Sequence, residues 1–241
     1  MPSPTIKNAV AVLFIVLPLS AVPVSALQLE VGAIAGGGLC FTFGSYLDAK
    51  AAYLAEQGAS GPTPGTTRYN LFPGLSAGAY GEMALLRWLD LRLELRALYL
   101  GASRLALTAG GLPLDAYGAG LYALMLPVLV RASFPLGPGS ITADLGPFYG
   151  LVVGDVHVQD IYATTSTSAV IPLSFAQSSM FGVSGGVGYK LGLGPGTVSV
   201  ELRADWTIFP VKLDGGLGSG DLSPLNALIV FGYGFKLGSA N

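Results

Sequence analysis

Charge is scarce in this chain: its 241 residues include 12 Lys and Arg and 14 Asp and Glu, scattered without runs. A nucleic-acid partner needs a clustered basic face, and no such cluster exists, so that class is excluded. Cysteine is nearly absent. Cys40 stands alone, so no disulfide closes within the chain. Leu39 precedes it, where a lipid-modified cysteine would need a small residue, and the apolar stretch of the N-terminus has already ended at Leu19. Cys40 therefore reads as a packed apolar side chain. The single histidine, His157, lies far from Cys40, which leaves no metal-ligand spacing. Long helical spans are missing too. The stretch 116–130 is free of charge but short, and is broken by Gly118, Gly120 and Pro127. The stretch 161–189 also lacks charge but is full of Ser, Thr and Gly.

What is present is apolar. Mean hydropathy is +0.61, half the residues are hydrophobic, and 35 are glycine. A chain that meets lipid without helical spans must satisfy its backbone polar groups in a closed β-barrel. The N-terminus carries the three parts of a secretory signal: Lys7, an apolar core from Ala9 to Leu19 interrupted only by Pro18, and small residues at Val24-Ser25-Ala26. This predicts a leader at 1–26 and one barrel domain at 27–241.

The strand evidence is direct. Leu89-Asp90-Leu91-Arg92-Leu93-Glu94-Leu95-Arg96 and Val198-Ser199-Val200-Glu201-Leu202-Arg203-Ala204-Asp205-Trp206 alternate apolar and polar at every step. Period two gives an extended strand two different faces. The whole pattern predicts an all-β fold, a closed antiparallel transmembrane barrel of about eight strands, at 27–42, 72–85, 89–102, 117–132, 140–154, 177–192, 197–210 and 225–237. Connections alternate between short (Leu86-Arg87, Pro135 to Gly139, Pro195-Gly196) and long (43–71, 103–116, 155–176, 211–224). In outer-membrane barrels short turns face the periplasm and long loops face outside. The first long loop carries a helix signal from Ser45 to Gln57, stopped by Gly58. Pro127 and Pro147 fall inside expected strands, where each removes a ladder hydrogen bond. Either bulges accommodate them or the fourth strand is shorter.

A charge facing lipid at mid-membrane costs roughly 2–4 kcal/mol for Arg or Lys, so the charges belong in the lumen. That assigns inward Glu30, Glu82, Asp90, Arg92, Glu94 and Arg96 from the first three strands. Arg131, Asp144, Lys190, Glu201, Arg203, Asp205 and Lys236 follow from the rest. Hairpin geometry sets Lys190 opposite Glu201, Arg131 opposite Asp144 and Glu82 opposite Arg92, while Glu30 and Lys236 meet where the first and last strands close. The same parity in the outer half gives Ile34, Leu98, Leu100, Leu121, Met125 and Phe148. It continues through Val152, Met180, Phe209, Leu228 and Val230. An apolar upper lumen above a charged floor is either a pocket open to the outside or a solid apolar core. Outward aromatics near strand ends, among them Trp88, Tyr149, Trp206 and Tyr233, suit interfacial girdles.

Gly232-Tyr233-Gly234-Phe235-Lys236-Leu237 has the alternating pattern of a barrel insertion signal, although the chain continues through Gly238-Ser239-Ala240-Asn241. With the strand and loop pattern, it resembles the small outer-membrane barrels of the outer membrane protein A, X and W types over nearly the whole mature chain. The apolar upper lumen is similar to the W type, which implies passage of small hydrophobic compounds. The salt-bridged floor is similar to the A and X types, which implies a plugged anchor or adhesin working through its long loops. Lipid-modifying barrels need His, Ser and an acid together; here His157 lies near Asp155 and Asp160 in a loop, and reads as incidental. The glycines at 182, 185, 186 and 188 have no strand-then-helix context, so no nucleotide loop is supported, and no cofactor is expected. The partners expected are outer-membrane lipid and either a small hydrophobic ligand or a surface partner at the loops. N-terminal sequencing of the protein from the membrane fraction is expected to read from Leu27; a mature chain retaining Lys7 would sink the export reading.

Overall fold

The computed structural model describes residues 28–45, 68–69, 72–100, 105–109, 112–162, 168–215 and 218–237. The leader and, apart from Ser45, the helix expected at Ser45–Gln57 lie outside the described residues. Eight strands make the barrel: β1 (Leu29–Phe43), β3 (Phe72–Leu86), β4 (Leu89–Leu100), β6 (Leu112–Leu136), β7 (Gly139–Tyr162), β9 (Ser179–Leu193), β10 (Gly196–Phe209) and β12 (Gly218–Leu237). All neighbours are antiparallel, and β12 pairs with both β10 and β1, which closes the ring. The short strands β2 (Arg68–Tyr69), β5 (Leu105–Ala109), β8 (Ser168–Gln177) and β11 (Val211–Gly215) lie in the long connections. They join the upper parts of β6, β7 and β12 in a continuous sheet beyond the barrel.

Strand pairing determines the stagger. A walk across the ladders leaves Met180, passes Gly150, Met125, Arg96, Gly78, Ile34, Gly232 and Ser199, and returns to β9 at Lys190, ten residues farther along. That shear tilts the strands and sets the bore. An interior of this strand number is just wide enough for side chains to fill.

The three tight turns hold Arg87-Trp88, Gly137-Pro138 and Gly194-Pro195. Gly137 and Gly194 have φ of 60° and 59°. Glycine first, at positive φ, is the pattern of a type II′ hairpin, whose twist matches that of the strands. The last of these turns lies one residue earlier than the sequence suggests. This corrects one pairing: Lys190 faces Ser199, and Glu201 faces Gly188. The pairings Arg131 with Asp144 and Glu82 with Arg92 are present.

Both problem prolines stay inside strands. The β4–β6 ladder skips from Leu93–Val128 to Arg96–Met125, and the β6–β7 ladder from Pro127–Phe148 to Val130–Leu145, neither with a change of register. Missing bonds rather than bulges absorb the prolines, and β6 is longer than expected, not shorter.

The outer wall is apolar. Leu145 is 64 % exposed, Leu202 61 % and Trp206 64 %, alternating along their strands with buried polar or charged neighbours. No helix among the described residues is long and apolar enough to cross a membrane; strands make the crossing here. Aromatic side chains gather at the rims. Trp88 is exposed in a periplasmic turn, Tyr233 and Phe235 meet edge to face at 4.9 Å, and the Tyr189 hydroxyl donates to the Leu136 carbonyl at 3.0 Å. Closed ring, even strand count, short turns at one end, long connections at the other and an apolar exterior together make this an outer-membrane β-barrel. Leu202→Arg, placing a cation on the lipid face midway along β10, is expected to lower the unfolding free energy in vesicles by about 2–4 kcal/mol in urea titrations.

Candidate functional site

The lumen is the site the sequence points to, and its floor is a continuous ion-pair network. Arg131 Nη2 donates to Asp144 Oδ2 at 2.6 Å and to Glu201 Oε1 at 2.7 Å, while its Nη1 donates to Glu82 Oε2 at 3.2 Å. Arg92 Nε lies 2.6 Å from Glu94 Oε1, and its Nη1 donates to Glu201 Oε1 at 3.1 Å. Arg203 donates to Glu94 and Glu201, each at 2.5 Å, and to Asp144 at 3.1 Å. Arg96 Nη2 donates to Asp205 Oδ1 at 2.7 Å, which also accepts from Ser184 Oγ at 2.6 Å. Lys190 Nζ lies 2.6 Å from Glu82 and 2.9 Å from Glu30.

Alternation on each strand explains how so many charges share one space. Arg92, Glu94 and Arg96 stand on the inner face of β4, and Glu201, Arg203 and Asp205 on that of β10. Across the bore the signs oppose: Arg92 reaches Glu201, Glu94 reaches Arg203, and Arg96 reaches Asp205. Four buried guanidinium groups therefore meet five buried carboxylates, those of Glu82, Glu94, Asp144, Glu201 and Asp205. Burying such charges is favourable only with close, multiply bonded partners. The planar fork of arginine supplies them, since one head can serve two or three carboxylates.

Two inward assignments need correction. Phe209 is 60 % exposed: a register shift between Thr207 and Phe209 turns it outward, where its ring lies 6.0 Å from that of Phe181. Lys236 pairs in register with Glu30 but is exposed at the rim, and Lys190 supplies the ammonium to Glu30 instead. Asp90 is only half-buried and accepts from Ser133 Oγ at 3.2 Å. The side chains of Leu100 and Leu121, and that of His157, lie outside the described residues.

Above the floor, Ile34, Leu98, Met125, Phe148, Val152, Met180, Leu228 and Val230 are buried and turned inward. Phe148 and Met180 are each only 2 % exposed. A side chain lining a void wide enough for water would expose surface to it, so these two are packed. The lumen also contains Tyr80, beside Glu30 and Arg92 in the floor, and Ser184 and Asn226, opposite Asp205 on the neighbouring strands, none of which the charge-based assignment identified. Their signal was parity alone: Tyr80 precedes Glu82 by two residues, and Asn226 precedes Leu228 by two.

A polar mouth of about 410 Å³ opens at the short-turn end, lined by Glu30, Glu82, Asp90, Lys190, Thr197 and Lys236 among others. A groove of about 740 Å³ runs along the outer wall over Gly185, Ala204 and Ala227, between Leu202, Trp206 and Ile229. Among the described residues no group of His, Cys, Asp or Glu is arranged to hold a metal ion.

No protein-family model matches the chain, and no curated protein does. Solved structures similar to it include the outer membrane protein OprG from Pseudomonas aeruginosa, at 11 % identity and TM-score 0.46, covering 88 % of this chain and 96 % of that one. A major outer membrane protein from Thermus thermophilus matches at 14 % identity and TM-score 0.46, covering 88 % and 100 %. Ail, the attachment invasion locus protein of Yersinia pestis, matches at 10 % identity and TM-score 0.34, covering 86 % and 98 %. The barrel assignment rests on the strand pairing of this chain itself.

Arg131→Met would leave the buried carboxylates Glu82, Asp144 and Glu201 short of a partner. It is expected to cost about 3–5 kcal/mol of stability, read by urea titration in vesicles. Lys190→Met, at a partly exposed site by the mouth, is expected to cost clearly less.

Proposed function

We propose that this outer-membrane barrel is a plugged, non-conducting anchor that meets its partners through the long hairpins at its outer end. The observation that carries the reading is the plug: buried ion pairs connect β4 to β10, and β10 to β6 and β7, right across the bore. Passing a solute would require breaking several buried pairs at once, each costly to leave half-made.

The long strands favour the same reading. β6 has 25 residues and β7 has 24, where roughly 9–11 suffice to cross a membrane. Both continue well beyond the bilayer at the end away from the short turns. With β5, β8 and β11 they raise a paired sheet that a partner on the cell surface would meet first. The W-type alternative, a pocket for small hydrophobic compounds, would need space among the upper apolar side chains, and Phe148 and Met180 are packed.

Reconstituted into planar bilayers, the protein is expected to pass no current, while a variant with Arg92→Ala and Arg131→Ala that still folds is expected to show ion-conducting steps. Steady conductance by the parent, or a rise in its melting temperature with small apolar compounds such as decanol, would overturn the plug in favour of the pocket.

A further inference from the structure

Seven of the eight neighbour pairs in the ring join strands that follow one another around it. The eighth, β1 with β12, joins the two ends of the barrel sequence, Leu29 with Leu237 at its foot. Closing so long a loop carries the largest entropy cost of any pairing in the barrel, and no turn fixes its register.

At the foot of this seam four residues lie in one hydrogen-bonded row across four strands: Tyr80 of β3, Gly32 of β1, Gly234 of β12 and Thr197 of β10. The two central positions have no side chain, and the outer two reach over them. A Cβ on Gly32 would lie 2.5 Å from Tyr80 Cε1 and 2.6 Å from Cζ. A Cβ on Gly234 would strike the Tyr80 hydroxyl and lie 2.5 Å from Glu30 Oε1. The tyrosine ring thus lies in a notch cut by glycine in both seam strands. Its other face is covered by the Arg92 guanidinium, 3.9 Å from the ring centroid.

The hydroxyl end is tied down. Glu30 Oε1 accepts from Tyr80 Oη at 2.7 Å and from Thr197 Oγ1 at 2.7 Å, and Glu30 Oε2 lies 2.9 Å from Lys190 Nζ. Glu30 stands on β1, while Thr197 and Lys190 stand on β10 and β9. These bonds therefore pass from β1 to β10 over the inner face of β12. All three groups are hydrogen-bonded to one buried carboxylate, where charge-assisted bonds are strong.

We propose that Tyr80, Glu30 and Thr197 form a strap that crosses the Gly32–Gly234 notch and locks the last strand into register, closing the barrel. The strap can form only when β12 has docked with Gly234 opposite Gly32. A slip of one residue would turn a bulky aromatic, Tyr233 or Phe235, toward the ring. The side-chain geometry thus selects the register that no turn supplies.

The test uses the full mature chain refolded from urea into phosphatidylcholine vesicles. Folding rate is followed by heat-modifiable gel migration, and strand opening by hydrogen exchange. Gly234→Ala is expected to slow folding by about tenfold, because the added methyl collides with the Tyr80 hydroxyl and the Glu30 carboxylate it is bonded to. Gly192→Ala, where a Cβ meets open space, is the control and is expected to fold at the parental rate. Combining Gly234→Ala with Tyr80→Ala is expected to bring folding close to that of Tyr80→Ala alone, since the hydroxyl contact is gone and the contact left, with Glu30 Oε1, is with the end of a flexible side chain no longer tied to Tyr80; this rescue decides the matter even if Gly234→Ala alone never folds. Tyr80→Phe, which keeps the ring and loses the tie, is expected to speed exchange in β1 and β12 by about tenfold while leaving β4 and β6 unchanged. The strap is overturned if Gly234→Ala folds like the Gly192→Ala control, if removing the ring gives no rescue, or if Tyr80→Phe loosens all strands equally.

Discussion

A backbone amide without a partner in hydrocarbon costs several kcal/mol, and an open sheet edge presents a row of them. The pairing of β1 with β12 removes that edge, and the rest of the structure follows from it. Closure at eight strands with a ten-residue stagger sets a bore that side chains fill. Once the ring is closed, period-two alternation sends every second residue into that bore, and the other half into lipid. Leu202 and Arg203 are chain neighbours in two different solvents: one faces hydrocarbon, the other a lattice of carboxylates.

The interior is therefore made of groups that could not face outward. Clustering arginines and carboxylates in a dry lumen gains less stability than it first suggests, because desolvation offsets much of the Coulomb attraction. What the arrangement adds is specificity. Arg131 is satisfied only when β3, β7 and β10 bring Glu82, Asp144 and Glu201 to it together, so a wrong stagger would strand several charges at once. The apolar layer above has the complementary role. It excludes water from the network, which keeps those pairs strong.

Seam and plug share residues. Glu30 receives the Tyr80 and Thr197 hydroxyls and also pairs with Lys190, which in turn holds Glu82, a partner of Arg131. Fastening the first strand to the last is thus continuous with filling the bore. This gives the periplasmic half a single cooperative core, while the long outer hairpins extend beyond it.

Much of this was legible in the chain. Alternation in Leu89–Arg96 and Val198–Trp206 marked strands, because period two is a local property that any extended segment displays. Scarce charge confined to one parity marked the lumen, because lipid tolerates none of it. Hairpin partners such as Arg131 and Asp144 followed from turn position, since a short turn dictates what lies opposite. Other features depended on distances no local pattern contains. A one-residue difference in the turn at Gly194-Pro195 moved Lys190 from Glu201 to Glu82 and Glu30, and a register shift after Thr207 put Phe209 outside. The trans-lumen pairs Arg92–Glu201 and Arg96–Asp205, and the strap of Tyr80 over Gly234, join strands far apart in sequence. Sequence alone determined which face a residue takes wherever alternation runs unbroken, because that needs only the strand; Phe209, past the register shift, is the exception. Tertiary structure decided which residues meet across the bore, because that depends on the stagger accumulated around the whole closed ring.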